Sequence, residues 1–142
     1  MAKFRYLEHT SDLYVEACGG SLAEAFENAA LAMFEAMTDT ALVARTSSVR
    51  VEVEGEDEEA LLYNWLEEFL IKFDAEGMLF SSFKVEEMAE VGEHLRLRGE
   101  AWGEVYDERR HPSRVAIKGV TYHNMEIFKR DSEVCVRVLF DI

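Results

Sequence analysis

A chain of 142 residues, 49% hydrophobic, 31% charged and 11% aromatic, fits one ordinary globular domain spanning 1–142 and excludes a disordered or collagen-like polymer. Twenty-nine acidic against fifteen basic residues give a formal charge of −14 and a pI near 4.6, a field that opposes broad binding of phosphate backbones. Attraction of metal cations, docking on a basic protein and plain solubility all remain compatible with that charge.

At this length roughly 68–70% of the unfolded surface is buried on folding, so stability alone demands neither a disulfide nor a structural metal. Cys18 and Cys135 lie in apolar, strand-like contexts without CxxC spacing. The expectation is two reduced, buried thiols in a cytoplasmic protein, with no disulfide. No apolar run reaches the ~18 residues of a membrane span, and the start MAKFRYLEHT lacks the basic-then-apolar layout of a signal peptide. The absence of Gln and the presence of only three Asn resemble the amide depletion of heat-adapted proteins.

The first expected element is a short strand at Phe4 to Leu7, followed by the polar turn His9-Thr10-Ser11-Asp12. From Leu13 to Cys18 the period is two, with Leu13, Val15 and Ala17 alternating with Tyr14 and Glu16, a half-buried strand ended by Gly19-Gly20. Ser21 and Glu24 form a capping-box signature, and Leu22, Phe26, Ala29, Ala30, Met33 and Met37 recur at helical spacing. Val49, Val51 and Val53 alternate with Arg50, Glu52 and Glu54 as a further strand broken by Gly55. A second helix starts near Asp57, carries Leu61, Leu62, Trp65, Leu66, Phe69, Leu70 and Phe73 as an apolar stripe, and closes at Gly77.

The second half reads as strands: Leu79 to Glu90 and His94 to Val105 around the turn Val91-Gly92-Glu93, then Val115 to Tyr122, Met125 to Lys129 and Val134 to Phe140. The last two join through Arg130-Asp131-Ser132-Glu133 as a hairpin. Two helices among about seven strands predict an α+β fold, the helices packed on a largely antiparallel multi-stranded sheet. A single Pro, Pro112, and the lack of repeats or low-complexity stretches give no sign of a linker.

Several site chemistries are missing from the sequence: GxxxxGK[ST], GxGxxG, HExxH, an EF-hand loop and GxSxG. Three polar clusters remain. In Glu8-His9-Thr10-Ser11-Asp12, Asp12 is either a turn cap or a ligand. At the other end, Val134 to Phe140 runs almost continuously apolar, as a central strand does, and is followed by Asp141-Ile142. A carboxylate there, beside the α-carboxylate of Ile142, is either solvated or bridged by a cation. In Lys118-Gly119-Val120-Thr121-Tyr122-His123-Asn124, Lys118 either faces water or reaches into a site, and His123 is either a turn residue or a ligand. The basic stretch Arg109-Arg110-His111-Pro112-Ser113-Arg114 reads as a solvated loop or as a contact for an acidic or phosphorylated partner.

Four segments in order, HTSDLYVEA, SLAEAFENAALAMFEAMTD, VAIKGVTYHNMEI and VLFDI, resemble the archease family through most of the chain. The resemblance implies an archease-like fold and a non-catalytic accessory protein, an activator of the GTP-dependent tRNA-splicing RNA ligase. It implies promotion of ligase guanylylation, support of multiple turnover and broadened nucleotide use, with the ligase's catalytic subunit as partner. It also implies a divalent cation held by Asp12, Asp141 and Ile142, with His9, Lys118 and His123 as nearby supporting groups. Two carboxylates and a main-chain oxygen make a hard, oxygen-only set suited to calcium, the ion expected first in a crystal, or to magnesium or manganese. A competing reading is a general chaperone or modulator of RNA-processing proteins. A metal-dependent hydrolase is the weakest, because no general base accompanies the two carboxylates.

Overall fold

The structure, a computed structural model, describes residues 3–9 and 11–142, so Thr10 of the first polar turn and the first two residues lie outside it. Strands β1 (Phe4–Leu7) and β2 (Leu13–Gly19) are followed by helix α1 (Leu22–Met37), β3 (Ser47–Gly55) and helix α2 (Glu58–Glu76). The long hairpin β4 (Met78–Val91) and β5 (His94–Val105) then leads through an irregular segment to β6 (Gly119–Arg130) and β7 (Glu133–Asp141).

Both helices start and stop where side-chain chemistry tells them to. Ser21 Oγ accepts the Glu24 N–H at 3.1 Å, and Glu24 Oε1 reaches back to the Gly20 N–H at 2.8 Å, so two backbone donors at the entrance of α1 are satisfied. Asp57 caps α2 by accepting the Ala60 N–H at 2.8 Å, and Gly77 ends it in the left-handed region at φ 70°, where a residue without Cβ fits best.

The expected antiparallel architecture is present, but the strands form two sheets. One is four-stranded in the order β1-β2-β7-β6 and the other three-stranded in the order β3-β5-β4, every pairing antiparallel. Each helix touches both sheets, α1 through β2 and β4 and α2 through β3 and β6. This placement explains why α1 is buried nearly all round, at Ala25, Phe26, Ala29, Ala30, Ala32, Met33, Phe34 and Ala36, rather than along a single stripe. Trp65 of α2 is fully buried and its Nε1–H donates to the Phe26 carbonyl at 3.0 Å, tying the helices together.

β4 is bulged between Phe80 and Ser82 and between Val85 and Glu87. The residues of β5 paired with Phe80 and Val85 are Gly103 and Gly99. A Cβ at Gly103 would run into the Leu79 carbonyl, and one at Gly99 would meet the Lys84 carbonyl at 2.6 Å. Glycine is therefore required where the bulged strand crowds its partner.

Two expectations are corrected. Val115 to Tyr122 and Met125 to Lys129 are not separate strands: residues 115–118 are irregular, and Gly119–Arg130 is one strand. Its register against β7 jumps between Thr121 and Glu126 while the partner advances only from Leu139 to Arg137. The surplus residues bulge outward, with Asn124 in the left-handed region at φ 58°.

The second correction concerns the cysteines, which are not reduced: Cys18 and Cys135 form a disulfide. They are 117 residues apart in sequence but directly opposite in the β2–β7 register, with Cα atoms 4.1 Å apart. Apolar neighbours indicate burial, and both are buried. Pairing is decided by which strands are neighbours, and local sequence does not carry that.

Candidate functional site

One end of the four-stranded sheet gathers most of the polar residues singled out above. The β2–β7 ladder runs to Leu13 opposite Phe140. Asp12 immediately precedes that last pair and Asp141 immediately follows it, so two carboxylates sit at the same end of neighbouring strands. Asp141 also pairs with Gly119 of β6, and its carbonyl accepts the Lys118 N–H at 2.7 Å. Lys118, Asp141 and Ile142 are exposed and Asp12 is half-buried.

His9 completes this end from the β1–β2 turn. Its Nδ1 lies 3.6 Å from Asp12 Oδ2 and its Nε2 3.5 Å from Asn124 Nδ2. The turn is made possible by Ser11, held at φ 70°, a conformation uncommon outside Gly, Asn and Asp. Tyr14 packs edge-on against His9 with ring centroids 5.9 Å apart, and its hydroxyl donates to the Asn124 carbonyl at 2.7 Å. Burial first, then the Glu126 carboxylate, pushes the Tyr14 hydroxyl up from its ordinary pKa, which keeps the proton on the oxygen that donates.

Of the six residues singled out, Asp12, Asp141, His9 and the Lys118 backbone are thus drawn into one connected end of the sheet, with Ile142 next along the chain. His123 lies on the outward bulge of β6 and is exposed. The same bulge carries Tyr122 across to α2, where it stacks on Tyr63 with centroids 4.5 Å apart. Sequence reasoning missed Tyr14 and Asn124 as supports. Tyr14 reads as a wet-face residue of an alternating strand, and only the αL tolerance of Asn hints at the turn around Asn124.

Farther along the same sheet face, Glu16 is only 3% exposed yet ionised. Arg130 binds it with both terminal nitrogens at 2.9 and 3.0 Å, Arg5 Nε at 2.8 Å and Arg137 Nε at 3.0 Å. The Arg130 hydrogen bonds, opposed by burial and reinforced by Arg5 and Arg137, hold its carboxyl at about 2. Arg137 also reaches Glu126 at 3.0 Å, so the cluster is internally neutralised to a large extent and braces all four strands of this sheet.

The basic stretch is an irregular, largely exposed segment in which His111 is buried and two arginines are held by partners. His111 is 1% exposed; its Nδ1 accepts the Asp107 N–H at 2.9 Å and its Nε2 lies 2.9 Å from Glu104 Oε2. Arg110 clamps the same carboxylate at 2.9 and 2.7 Å, and Arg114 donates to the Glu35 carbonyl. Burial raises Glu104, but the Ala44 N–H, His111 and Arg110 outweigh it and hold the group at about 2. Glu104 and Glu35 thus fasten Arg110, His111 and Arg114, while the Arg109 side chain stays largely exposed.

The donor chemistry at the Asp12 end fits a hard cation: carboxylate and main-chain oxygens, from Asp12, Asp141 and Ile142, without sulfur. These few protein oxygens could hold such an ion only with further ligands from water or from a bound partner.

Comparison with known proteins places these observations in a family. The model of the Archease protein family matches residues 4–142. The chain is 43% identical over 143 residues to Protein archease of Sulfurisphaera tokodaii and 46% identical over 142 residues to that of Methanothermobacter thermautotrophicus, each alignment covering 100% of both chains. The solution structure of a Methanobacterium thermoautotrophicum protein superposes with a TM-score of 0.88 at 46% identity over the full length of both. A Thermotoga maritima crystal structure described as an archease and possible chaperone has the same fold, with a TM-score of 0.60 at 19% identity over 96% of this chain and 94% of that one. Among the described residues no helix is long and apolar enough to cross a membrane.

Proposed function

The chain belongs to the archease family, and from that premise we propose that it is a non-catalytic activator of the GTP-dependent tRNA-splicing RNA ligase. In this reading it promotes guanylylation and repeated turnover of the ligase and broadens the nucleotides the ligase accepts. A divalent cation, calcium, magnesium or manganese, is held by Asp12, Asp141 and a main-chain oxygen of Ile142. His9, the Lys118 segment and His123 flank it. The observation that carries the reading is the convergence of Asp12 and Asp141 at one end of adjacent strands.

Bound there, the ion would supply Lewis-acid stabilisation of phosphate oxygens at the ligase's nucleotide site. The chain's own residues do the holding and presenting. The β2–β7–β6 ladder fixes where the two aspartates emerge, His9 orients toward Asp12, and the Tyr14–Asn124 hydrogen bond tethers the neighbouring bulge. A carboxylate pair with Asp141 exposed and Asp12 half-buried leaves coordination positions for a partner's groups, which suits presentation to another active site. The tightly paired Glu16 and Glu104 cannot serve that purpose, since their oxygens are already occupied by arginine, histidine and backbone donors.

Calorimetric titration with manganese checks the site. The unchanged chain should bind one ion, and Asp12→Asn and Asp141→Asn should each abolish the binding without lowering the melting temperature. Saturable binding that survives in both variants would move the ion elsewhere. The possible-chaperone description of the Thermotoga maritima protein favours a second reading, a holder of partly folded RNA-processing proteins. Suppression of aggregation of unrelated clients, unaffected by Asp141→Asn, would select it.

A further inference from the structure

At the opposite end of the same strands the disulfide has a third potential metal ligand beside it. Cys18 Sγ, Cys135 Sγ and a Glu133 carboxylate oxygen all lie within 4.8 Å of one another. Glu133 opens β7 next to the hairpin turn, two residues before Cys135, while Cys18 reaches the cluster from β2. The sulfurs lie on the sheet face that also carries Glu16 and Arg137, since Cys18 pairs with Cys135 as Glu16 pairs with Arg137 two residues along. They are therefore outside the core built from Val15, Ala17, Val136 and Val138. A cavity of about 420 Å³ opens onto Cys18 and Glu133, with Lys3, Glu24, Glu27 and Arg45 in its walls.

We propose that the Cys18–Cys135–Glu133 cluster is a redox-gated site for a thiophilic divalent cation of the zinc class. In the oxidised state the sulfurs are bonded to each other and offer no thiolate. A dithiol reductant donates two electrons and two protons to the disulfide, breaking the S–S bond and forming two thiols as the reductant becomes a disulfide. A Zn²⁺ ion then displaces the two thiol protons to solvent and takes two thiolates and the Glu133 carboxylate, with water in the fourth position.

The distances suit this. Zinc–sulfur bonds of about 2.3 Å in a tetrahedron place two sulfurs roughly 3.8 Å apart, so the main adjustment is separation of the two sulfur atoms. Two thiolates and one carboxylate leave a net charge of −1 with the ion bound, a modest charge for a tetrahedral site. Sulfur ligation also separates this site chemically from the oxygen-only donors of Asp12 and Asp141. Six residues of strand, about 20 Å, separate Asp12 from Cys18 along β2, so the two sites can be tested independently.

The test is cobalt titration of the full chain, first oxidised and then reduced with a phosphine that does not itself compete for metal. The reduced chain should develop a thiolate-to-cobalt charge-transfer band at one equivalent, bleached by one equivalent of zinc, and the oxidised chain should show none. Cys18→Ser should lose the band. Glu133→Gln, which leaves both cysteines intact, should keep the band but weaken zinc by at least the ~10-fold that losing even an outer partner costs. A folded, reduced chain with no charge-transfer band overturns the proposal. So does a band that persists in Cys18→Ser, zinc affinity unchanged by Glu133→Gln, or a reduced chain that unfolds and is not refolded by zinc.

Discussion

Reducing the Cys18–Cys135 bond, with metal excluded, lowers the stability of the chain by about 5 kcal/mol. The bond spans 117 residues, most of the molecule, and in the chain-entropy account a loop of that length releases about 5 kcal/mol of constraint from the unfolded ensemble when it is opened. For a domain of this size that corresponds to a fall of roughly 15 °C in melting temperature. The folded state loses little packing, because Val15, Ala17, Val136 and Val138 on the other face of the strands still fill the core. Thermal unfolding by circular dichroism, with and without reductant, reads the difference directly. A double Cys18→Ala, Cys135→Ala variant should melt like the reduced chain and be insensitive to reductant. Identical melting of oxidised and reduced chains would contradict the loop-constraint account.

Acid should weaken the molecule through Glu16. Its carboxyl sits at about 2 in the folded chain against 4.5 for a free glutamate. A depressed folded value means that the stabilisation is fully present above about 4.5 and is lost as pH falls from there toward 2. The shift corresponds to about 3 kcal/mol, with solvent around Arg5 and Arg130 reducing it somewhat. Glu104, also held at about 2, adds to the loss in the same window. Melting temperature followed from pH 6 to pH 2 should therefore be flat above pH 5 and fall steeply below pH 4.5. Glu16→Gln should be destabilised by about 3 kcal/mol at pH 7, because a buried neutral amide leaves three guanidinium groups without their shared anion, and its acid slope should be shallower. Equal slopes for the two chains would remove Glu16 as the source.

Much of the local structure was legible because its determinants are local. The Ser21–Glu24 cap, the apolar stripe of α2, Gly77 at its end and the Asp131-Ser132 turn each rest on side chains a few residues apart. Strand partners were not legible. Alternation in β2 and β3 fixes which face is wet, but Leu13–Gly19 and Ser47–Gly55 carry no mark assigning them to different sheets. The same gap hid the disulfide and the Glu16 cluster, whose members Arg5, Glu16, Arg130 and Arg137 come from four strands. It also hid the true character of the basic stretch, since Glu104, the anchor for Arg110 and His111, is an ordinary exposed-looking glutamate at the end of a strand pattern. Asp12 and Asp141 stood out separately in the sequence, and only family resemblance joined them in one ion site. The β2–β7 register supplied what periodicity could not, their arrival at one end of the sheet.

The most direct test is an RNA-ligation time course with limiting cognate ligase, GTP and manganese, run without this chain, with it, and with Asp141→Ala. Activation by a metal-bearing Asp12–Asp141 end predicts many turnovers per ligase with the unchanged chain and a single round with the variant, whose folding is verified by its melting temperature. Equal turnover with both proteins, or none beyond the ligase alone with either, would contradict it.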